Sequence, residues 1–193
     1  MNCATRRAAL MACVLLSVIA RAAETEGLKA GVFNPAREAP DFSVRGSDGT
    51  ALTLSRYRGK VVVLGFGYTS CPNVCPVTLA VLAQALRKLG PSAAQVQVIY
   101  LTVDPERDNA ERLKQYLAAF DPTFVGGTGT AAQMAAVRTS YGVTAEKHGT
   151  GSDYAVAHSS FVYLITPEGK LRALMPFGHK ADDYVHVISM LLN

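Results

Sequence analysis

"VVVLGFGYTSCPNVCP", Val61 to Pro76, is the stretch on which the fold turns. Val61 to Phe66 is an unbroken apolar run rich in β-branched residues, the pattern of a parallel strand covered on both faces. Directly after it stand Cys71 and Cys75, each followed by a proline. Leu79, Leu82, Leu86 and Leu89 then recur at helical spacing until Gly90 and Pro91 stop them. A proline is tolerated in the first turn of a helix, where its missing N–H has no partner to lose, and it disfavours helical angles in the residue before it. The helix is therefore predicted to begin at Pro76, with both thiols in an irregular loop at its N-terminus. There the helix dipole and unpaired N–H groups stabilise thiolate, the form that binds metal.

Upstream, "DFSV" and "ALTL" flank the turn "GSDG" and predict a hairpin. Downstream, a second buried strand is predicted over Val96 to Val103, leaving through "DPERD", Asp104 to Asp108. Asp108 and Glu111 read as the cap of a helix whose inner face is Leu113, Tyr116, Leu117 and Phe120. A short strand, "TFVG", precedes the capping-box pattern "TAAQ" and a helix with Met134, Val137 and Tyr141 inward. The chain closes with a strand over Ser160 to Thr166, the turn "PEGK", a strand over Leu171 to Pro176 and a helix through Val185, Ile188 and Leu192. This order is the α/β pattern of a thioredoxin-like fold with an additional N-terminal β-hairpin, because parallel strands need the intervening helices as crossovers. Sites in such sheets gather beyond the carboxyl ends of the parallel strands, where Cys71 falls.

The first residues carry Arg6 and Arg7, then an apolar stretch from Ala8 to Ala20, then small residues around Ala22 and Ala23. Basic start, short apolar core and small-residue end are the layout of a secretory signal, and the core falls short of the roughly 20 residues that span a bilayer. Residues 1–23 are expected to be a signal peptide, with an uncleaved membrane anchor as the alternative. "LMAC" resembles a lipoprotein box, but the apolar run continues past Cys13, so lipidation is discounted. Residues 24–39 read as a flexible tether and 40–193 as one domain. Of the 19 basic residues three leave with the leader and none of the 15 acidic ones do, so 16 oppose 15 in the remainder. That near-neutral balance, without a Lys/Arg stripe, excludes a nucleic-acid partner. Cys3 and Cys13 also leave, and one close pair of thiols is not a disulfide scaffold.

Four chemistries compete for Cys71 and Cys75. A structural disulfide closes a loop of a few residues and contributes little entropy. A redox pair of the thioredoxin type has two intervening residues, whereas here there are three, and where such oxidoreductases carry a cis-proline this chain reads "AHSSFVYL", with His158. A nucleophile with a helper thiol, as in a thiol peroxidase, is the third. The fourth is a metal site: in this fold the loop before Ser160 faces the cysteine loop, so His158 completes a soft set of two thiolates and one imidazole with an open position. Such a set suits copper or a catalytic zinc better than a closed structural zinc. His148, His179 and His186 read as ordinary surface or core residues and Met175 as a strand residue. Asp104 and Asp108 divide between a turn-and-cap role and a place on the rim of the site or in partner docking.

"TSCPNVCP", "TVDPERD" and "HSSFVYLITPEGKL", with "PDFSV" and "YRGKVVVLGFGYTSCP" upstream, resemble the SCO/SenC family of copper chaperones for cytochrome c oxidase assembly, from about Pro40 to the C-terminus. The resemblance implies one copper, Cu(I) or Cu(II), held by Cys71, Cys75 and His158. It also implies delivery to the binuclear copper centre of oxidase subunit II or another copper acceptor, dealings with a thiol reductase, and a periplasmic or equivalent, membrane-tethered location. A thiol:disulfide oxidoreductase and a copper- or redox-sensing module remain the alternatives. One departure stands out: the family's Val-Asp-His is Val156-Ala157-His158 here. Without that aspartate the imidazole is expected to be less firmly oriented unless Asp153 substitutes, and Ala157→Asp is expected to raise Cu(II) affinity.

Overall fold

The computed structural model describes residues 31–151 and 153–192. The leader, with Cys3 and Cys13, lies outside the described residues. Among the described residues ten strands and four α-helices follow in order: β1 (Gly31–Glu38), β2 (Ser43–Gly46), β3 (Ala51–Thr53), β4 (Val61–Gly67), α1 (Val74–Leu89), β5 (Val96–Thr102), α2 (Ala110–Ala118), β6 (Val125–Thr128), α3 (Ala131–Ser140), β7 (Ala145–His148), β8 (Ala155–His158), β9 (Phe161–Ile165), β10 (Lys170–Pro176) and α4 (Ala181–Leu192). Eight strands form one mixed sheet in the order β1-β10-β9-β4-β5-β6-β2-β3, and β7 pairs with β8 in a separate hairpin. The pairs β4–β5 and β5–β6 are parallel, and β9 runs antiparallel to β4.

Every residue of β4 is buried, as its unbroken apolar run requires. Helix α1 turns Leu79, Leu82, Leu86 and Leu89 into the core and packs against α4, which contributes Tyr184, Val187 and Ile188. The predicted N-terminal hairpin is β2–β3, joined to the main sheet through β6. Two glycines on β6 let both faces close. A Cβ on Gly126 would stand 2.9 Å from Leu113 of α2, and one on Gly127 would meet Leu52 at 2.9 Å on the other side. Thr130 and Gln133 form the reciprocal capping box at the head of α3.

Three expectations are corrected. Residues 31–38, read as part of a tether, form edge strand β1. The pairing runs from Gly31 opposite Leu174 to Glu38 opposite Lys170, with the Arg172 side chain donating to the Phe33 carbonyl. Exposed edge strands alternate weakly in polarity, which hides them from periodicity. Helix α1 begins at Val74 and takes Cys75 into its first turn. Pro76 is its third residue, where no preceding turn exists for the ring to strike. The cap of α2 is Asn109, whose side chain accepts from the Arg112 N–H; Asp108 is turned inward. Among the described residues no helix is long and apolar enough to cross a membrane.

Candidate metal centre

Beyond the carboxyl end of β4 the chain turns through Tyr68 to Asn73 into α1, placing Cys71 half-buried on the loop and Cys75 at 3 % exposure in the first helical turn. Both are free thiols. The approach of Cys75 to the sheet depends on Gly67: a Cβ there would stand 2.8 Å from the Cys75 sulfur and would overlap the Tyr100 hydroxyl. His158 is the last residue of β8, and its Nε2 lies 3.6 Å from the Cys75 sulfur.

The tautomer of His158 follows from its other nitrogen. Nδ1 lies 2.9 Å from the Ser159 carbonyl oxygen, which can only accept, so Nδ1 carries the proton and Nε2 presents its lone pair to Cys75. Burial lowers the imidazole pKa, against a smaller opposing effect of that carbonyl, and keeps the ring neutral and able to ligate. Tyr68 stands edge-on to the ring at 6.0 Å between centroids and accepts a hydrogen bond from the Val156 N–H.

The two thiols differ electrostatically. Burial opposes ionisation of Cys71, but the N–H groups of Asn73, Cys75 and Val74 and the Cys75 thiol outweigh it and bring Cys71 below the ordinary thiol value. Burial pushes Cys75 up to about 12, only partly offset by the Tyr100 hydroxyl and the Tyr68 N–H. The helix N-terminus therefore favours thiolate at Cys71, while Cys75 is a neutral thiol until something displaces its proton.

The Asp104–Asp108 loop ties both arms of the site together. Asp108, fully buried, accepts from the Thr69 N–H at 3.0 Å, the Thr69 hydroxyl at 2.5 Å and the Thr102 hydroxyl at 2.8 Å, and so fixes the residue two positions before Cys71. Arg112 reinforces the grip by donating to the Thr69 and Ser70 hydroxyls. Asp104, 1 % exposed, accepts from the Tyr154 hydroxyl at 2.6 Å and from Arg107 Nε at 2.5 Å. Arg107 in turn donates to the Tyr154 carbonyl and lies 3.7 Å over the Tyr154 ring. Tyr154 leads directly into the strand that carries His158.

Sequence reasoning singled out Cys71, Cys75 and His158, of which the structure brings Cys75 and His158 together, and it set Asp104 and Asp108 between a cap and the rim of the site. Asp104 and Asp108 act on the site from beneath. Tyr100, Tyr154 and Gly67 carry no motif that could have announced them. Among the described residues no three His, Cys, Asp or Glu side chains stand close enough to hold a metal ion as they are, while Cys75 and His158 meet. His148 pairs with Glu146 at 4.0 Å, His179 with Asp183 at 3.5 Å, His186 lies on α4 and Met175 is a buried strand residue. Asp153 is not what orients His158; the Ser159 carbonyl is.

A mixed sheet with its paired-thiol loop at the head of α1 defines a thioredoxin-like protein. More closely, the sequence profile of the SCO1/SenC family matches residues 32–193, and the chain belongs to that family. It is similar to "Protein SCO2 homolog, mitochondrial" of Bos taurus, 40 % identical over 133 residues, which are 67 % of this chain and 50 % of that protein. The chain thus spans about half the length of that relative. Among solved structures it is similar to ScoI of Bradyrhizobium japonicum with copper bound, with a TM-score of 0.75 and 34 % identity over 80 % of this chain and 99 % of that one. ScoI of Arabidopsis thaliana with copper bound gives a TM-score of 0.74 and 33 % identity over 79 % and 96 %.

Proposed function

We propose that this protein is an exported copper metallochaperone that carries one copper ion as cargo on Cys71, Cys75 and His158. Its acceptor is the binuclear copper centre of cytochrome c oxidase subunit II or another copper-acceptor protein. The observation that carries the reading is the Nε2 lone pair of His158 aimed at the Cys75 sulfur at 3.6 Å, with Nδ1 held by the Ser159 carbonyl. A neutral imidazole with one nitrogen anchored and the other facing a thiol is a ligand waiting for a soft metal. Copper bound in ScoI of Bradyrhizobium japonicum and of Arabidopsis thaliana supports the same cargo here.

Two thiolates satisfy Cu(I), and the imidazole adds the harder donor that Cu(II) prefers. Copper entry displaces the proton of Cys75. Release to an acceptor is eased because only Cys75 is deeply seated, while Cys71 sits half-exposed on a loop. Val77 and Phe161, exposed at 45 % and 36 %, border the two ligand arms, as suits a site that is covered by a protein during handover. Residues 1–23 act as the export leader, residues 24–30 as the tether and residues 31–193 as the domain, located in the periplasm or an equivalent compartment.

The difference between a lowered, accessible Cys71 and a buried, raised Cys75 also favours a second reading, thiol:disulfide exchange with Cys71 as attacking thiol. Copper titration of the reduced chain, followed by absorption and electron paramagnetic resonance, separates the two when run beside an insulin-reduction assay. One copper per chain, tight Cu(I) binding abolished by Cys71→Ser or Cys75→Ser, and negligible turnover are expected. Robust turnover undiminished in His158→Ala would establish the oxidoreductase instead.

A further inference from the structure

Tyr100 lies in the middle of the parallel sheet and is 3 % exposed, yet its hydroxyl has no hydrogen-bond partner among the described residues. Phenylalanine would fill the same volume without leaving a buried polar group unpaired, so packing does not account for the oxygen. The hydroxyl is not adrift in the core. It and the Cys75 sulfur crowd the same point, the place a Gly67 Cβ would occupy, with the sulfur 2.8 Å from that point and the oxygen nearer still. Tyr100 and Cys75 also line one recess with His158.

We propose that the Tyr100 hydroxyl is a dedicated hydrogen-bond donor to the Cys75 sulfur in its thiolate form, and that it sets the balance between the two oxidation states of the bound copper. The proposal rests on the copper reading above and names how that site is tuned. A neutral thiol is a weak acceptor, so in the metal-free protein the contact falls short of a regular hydrogen bond; a metal-bound thiolate is a strong one, and charge-assisted bonds to it are short and strong. Hydrogen bonds to a cysteine sulfur draw charge away from the metal and so favour the reduced ion. Nε2 of His158 lies 3.6 Å from the same sulfur, so Cys75 has both a phenol and an imidazole as neighbours in that recess. Tyr100 is thus a positioning and tuning residue, not a ligand.

The test is Tyr100→Phe in the full domain, loaded separately with Cu(II), Cu(I) and Cd(II), with Tyr116→Phe as comparator. Tyr116, on α2, has the other buried phenol hydroxyl without a hydrogen-bond partner among the described residues. Expected for Tyr100→Phe are a shift of the sulfur-to-Cu(II) and sulfur-to-Cd(II) charge-transfer bands to lower energy and a lowered Cu(II)/Cu(I) potential. Up to about tenfold in relative affinity for the two ions is expected, equivalent to about 59 mV for one electron. Tyr116→Phe is expected to leave the bands in place. Unmoved bands in Tyr100→Phe overturn the proposal, and equal shifts in both variants overturn it in favour of a water shared by the two phenols. The Cd(II) arm reads the same sulfur whether or not copper is the cargo. Failure of the wild-type chain to bind copper would therefore refute the copper reading alone, and unmoved Cd(II) bands would refute the Tyr100 bond alone.

Discussion

Asp104 and Asp108 leave one short loop to hold different arms of the site: Asp108 grips Thr69, beside the cysteine loop, and Asp104 grips Tyr154, at the root of the histidine strand. Both carboxylates are buried, so their hydrogen bonds are made away from competing water. The loop that follows β5 therefore braces both the approach to the cysteines and the root of the histidine strand.

Asp108→Asn keeps the size of the side chain but replaces one accepting oxygen by an amide that faces donors. Hydrogen bonds to a charged group contribute about 1.5–3 kcal/mol each, so a loss of about 2–3 kcal/mol in urea unfolding is expected. Copper affinity of both oxidation states falls with it, because the Cys71 loop loosens. Tyr154→Phe removes only the bond to Asp104 and frees the hairpin instead. Its expected signature is faster amide exchange in β7 and β8 and weakened Cu(II) binding, with Cu(I), held chiefly by the thiolates, little changed. Identical copper phenotypes for the two variants would show that the loop acts as one unit on a single arm.

Gly67→Ala tests the close approach of Cys75 to the sheet. Gly67 lies in strand conformation, so alanine brings no backbone penalty; the cost comes from its Cβ meeting the Cys75 sulfur and the Tyr100 hydroxyl. Overpacking of this kind costs about 1–3 kcal/mol. Gly65→Ala on the same strand face meets only the edge of the Tyr100 ring at 3.4 Å and is expected to be far milder. The check is the unfolding midpoint together with Cu(I) affinity under a competing chelator: both fall for Gly67→Ala, and neither changes much for Gly65→Ala.

The ordered middle of the fold was legible because its signals are periodic: the run at Val61, the leucines of α1 and the capping box at Thr130 each correspond to the element observed. The candidate residues Cys71, Cys75 and His158 stood out in the sequence too, since two thiols beside prolines and a histidine just before a late strand are chemically unusual. What hid was non-periodic. β1 is an exposed edge interrupted by Pro35, and β7–β8 is a polar hairpin of four-residue strands, so neither presents a buried stripe to read. Asp108 stayed divided between cap and site in the sequence because a surface cap and a buried tether look alike there; only the tertiary approach of Thr69 and Thr102 distinguishes them.

The thiols are expected to titrate apart. Alkylation rate follows thiolate, and Cys71 lies below the ordinary thiol value while Cys75 is pushed up to about 12. Iodoacetamide near neutral pH should therefore modify Cys71 alone in the metal-free reduced protein, with Cys75 reacting only in strongly alkaline solution. Stability carries the same sign. Burying Cys75 as the neutral thiol stabilises the fold fully below its ordinary value of 9.0, and that contribution is lost as pH rises toward about 12, because the unfolded thiol ionises first. Mass spectrometry of the alkylated chain across pH decides it: equal labelling of both residues at neutral pH contradicts the assignment.

Ala157→Asp restores the family's Val-Asp-His, and the sequence alone led to the expectation of firmer Cu(II) binding. The structure reverses that expectation. Successive side chains of a strand point to opposite faces, and Ala157 is on the exposed face while His158 turns inward. The ring N–H that a carboxylate would take is already given to the Ser159 carbonyl. A new aspartate would instead stand directly across from Glu146, its cross-strand partner, where like charges are unfavourable by about 0.2–1 kcal/mol. Ala157→Asp is therefore expected to leave Cu(II) affinity within about twofold, well short of the roughly 10- to 100-fold gain that a true partner of a ligating histidine supplies. It should also lower hairpin stability slightly, in a manner relieved by salt or by Glu146→Gln. Isothermal titration with Cu(II) at two ionic strengths measures both; a tenfold or greater gain in affinity would mean that the strand twists to bring residue 157 to the imidazole and that the carbonyl is not its anchor.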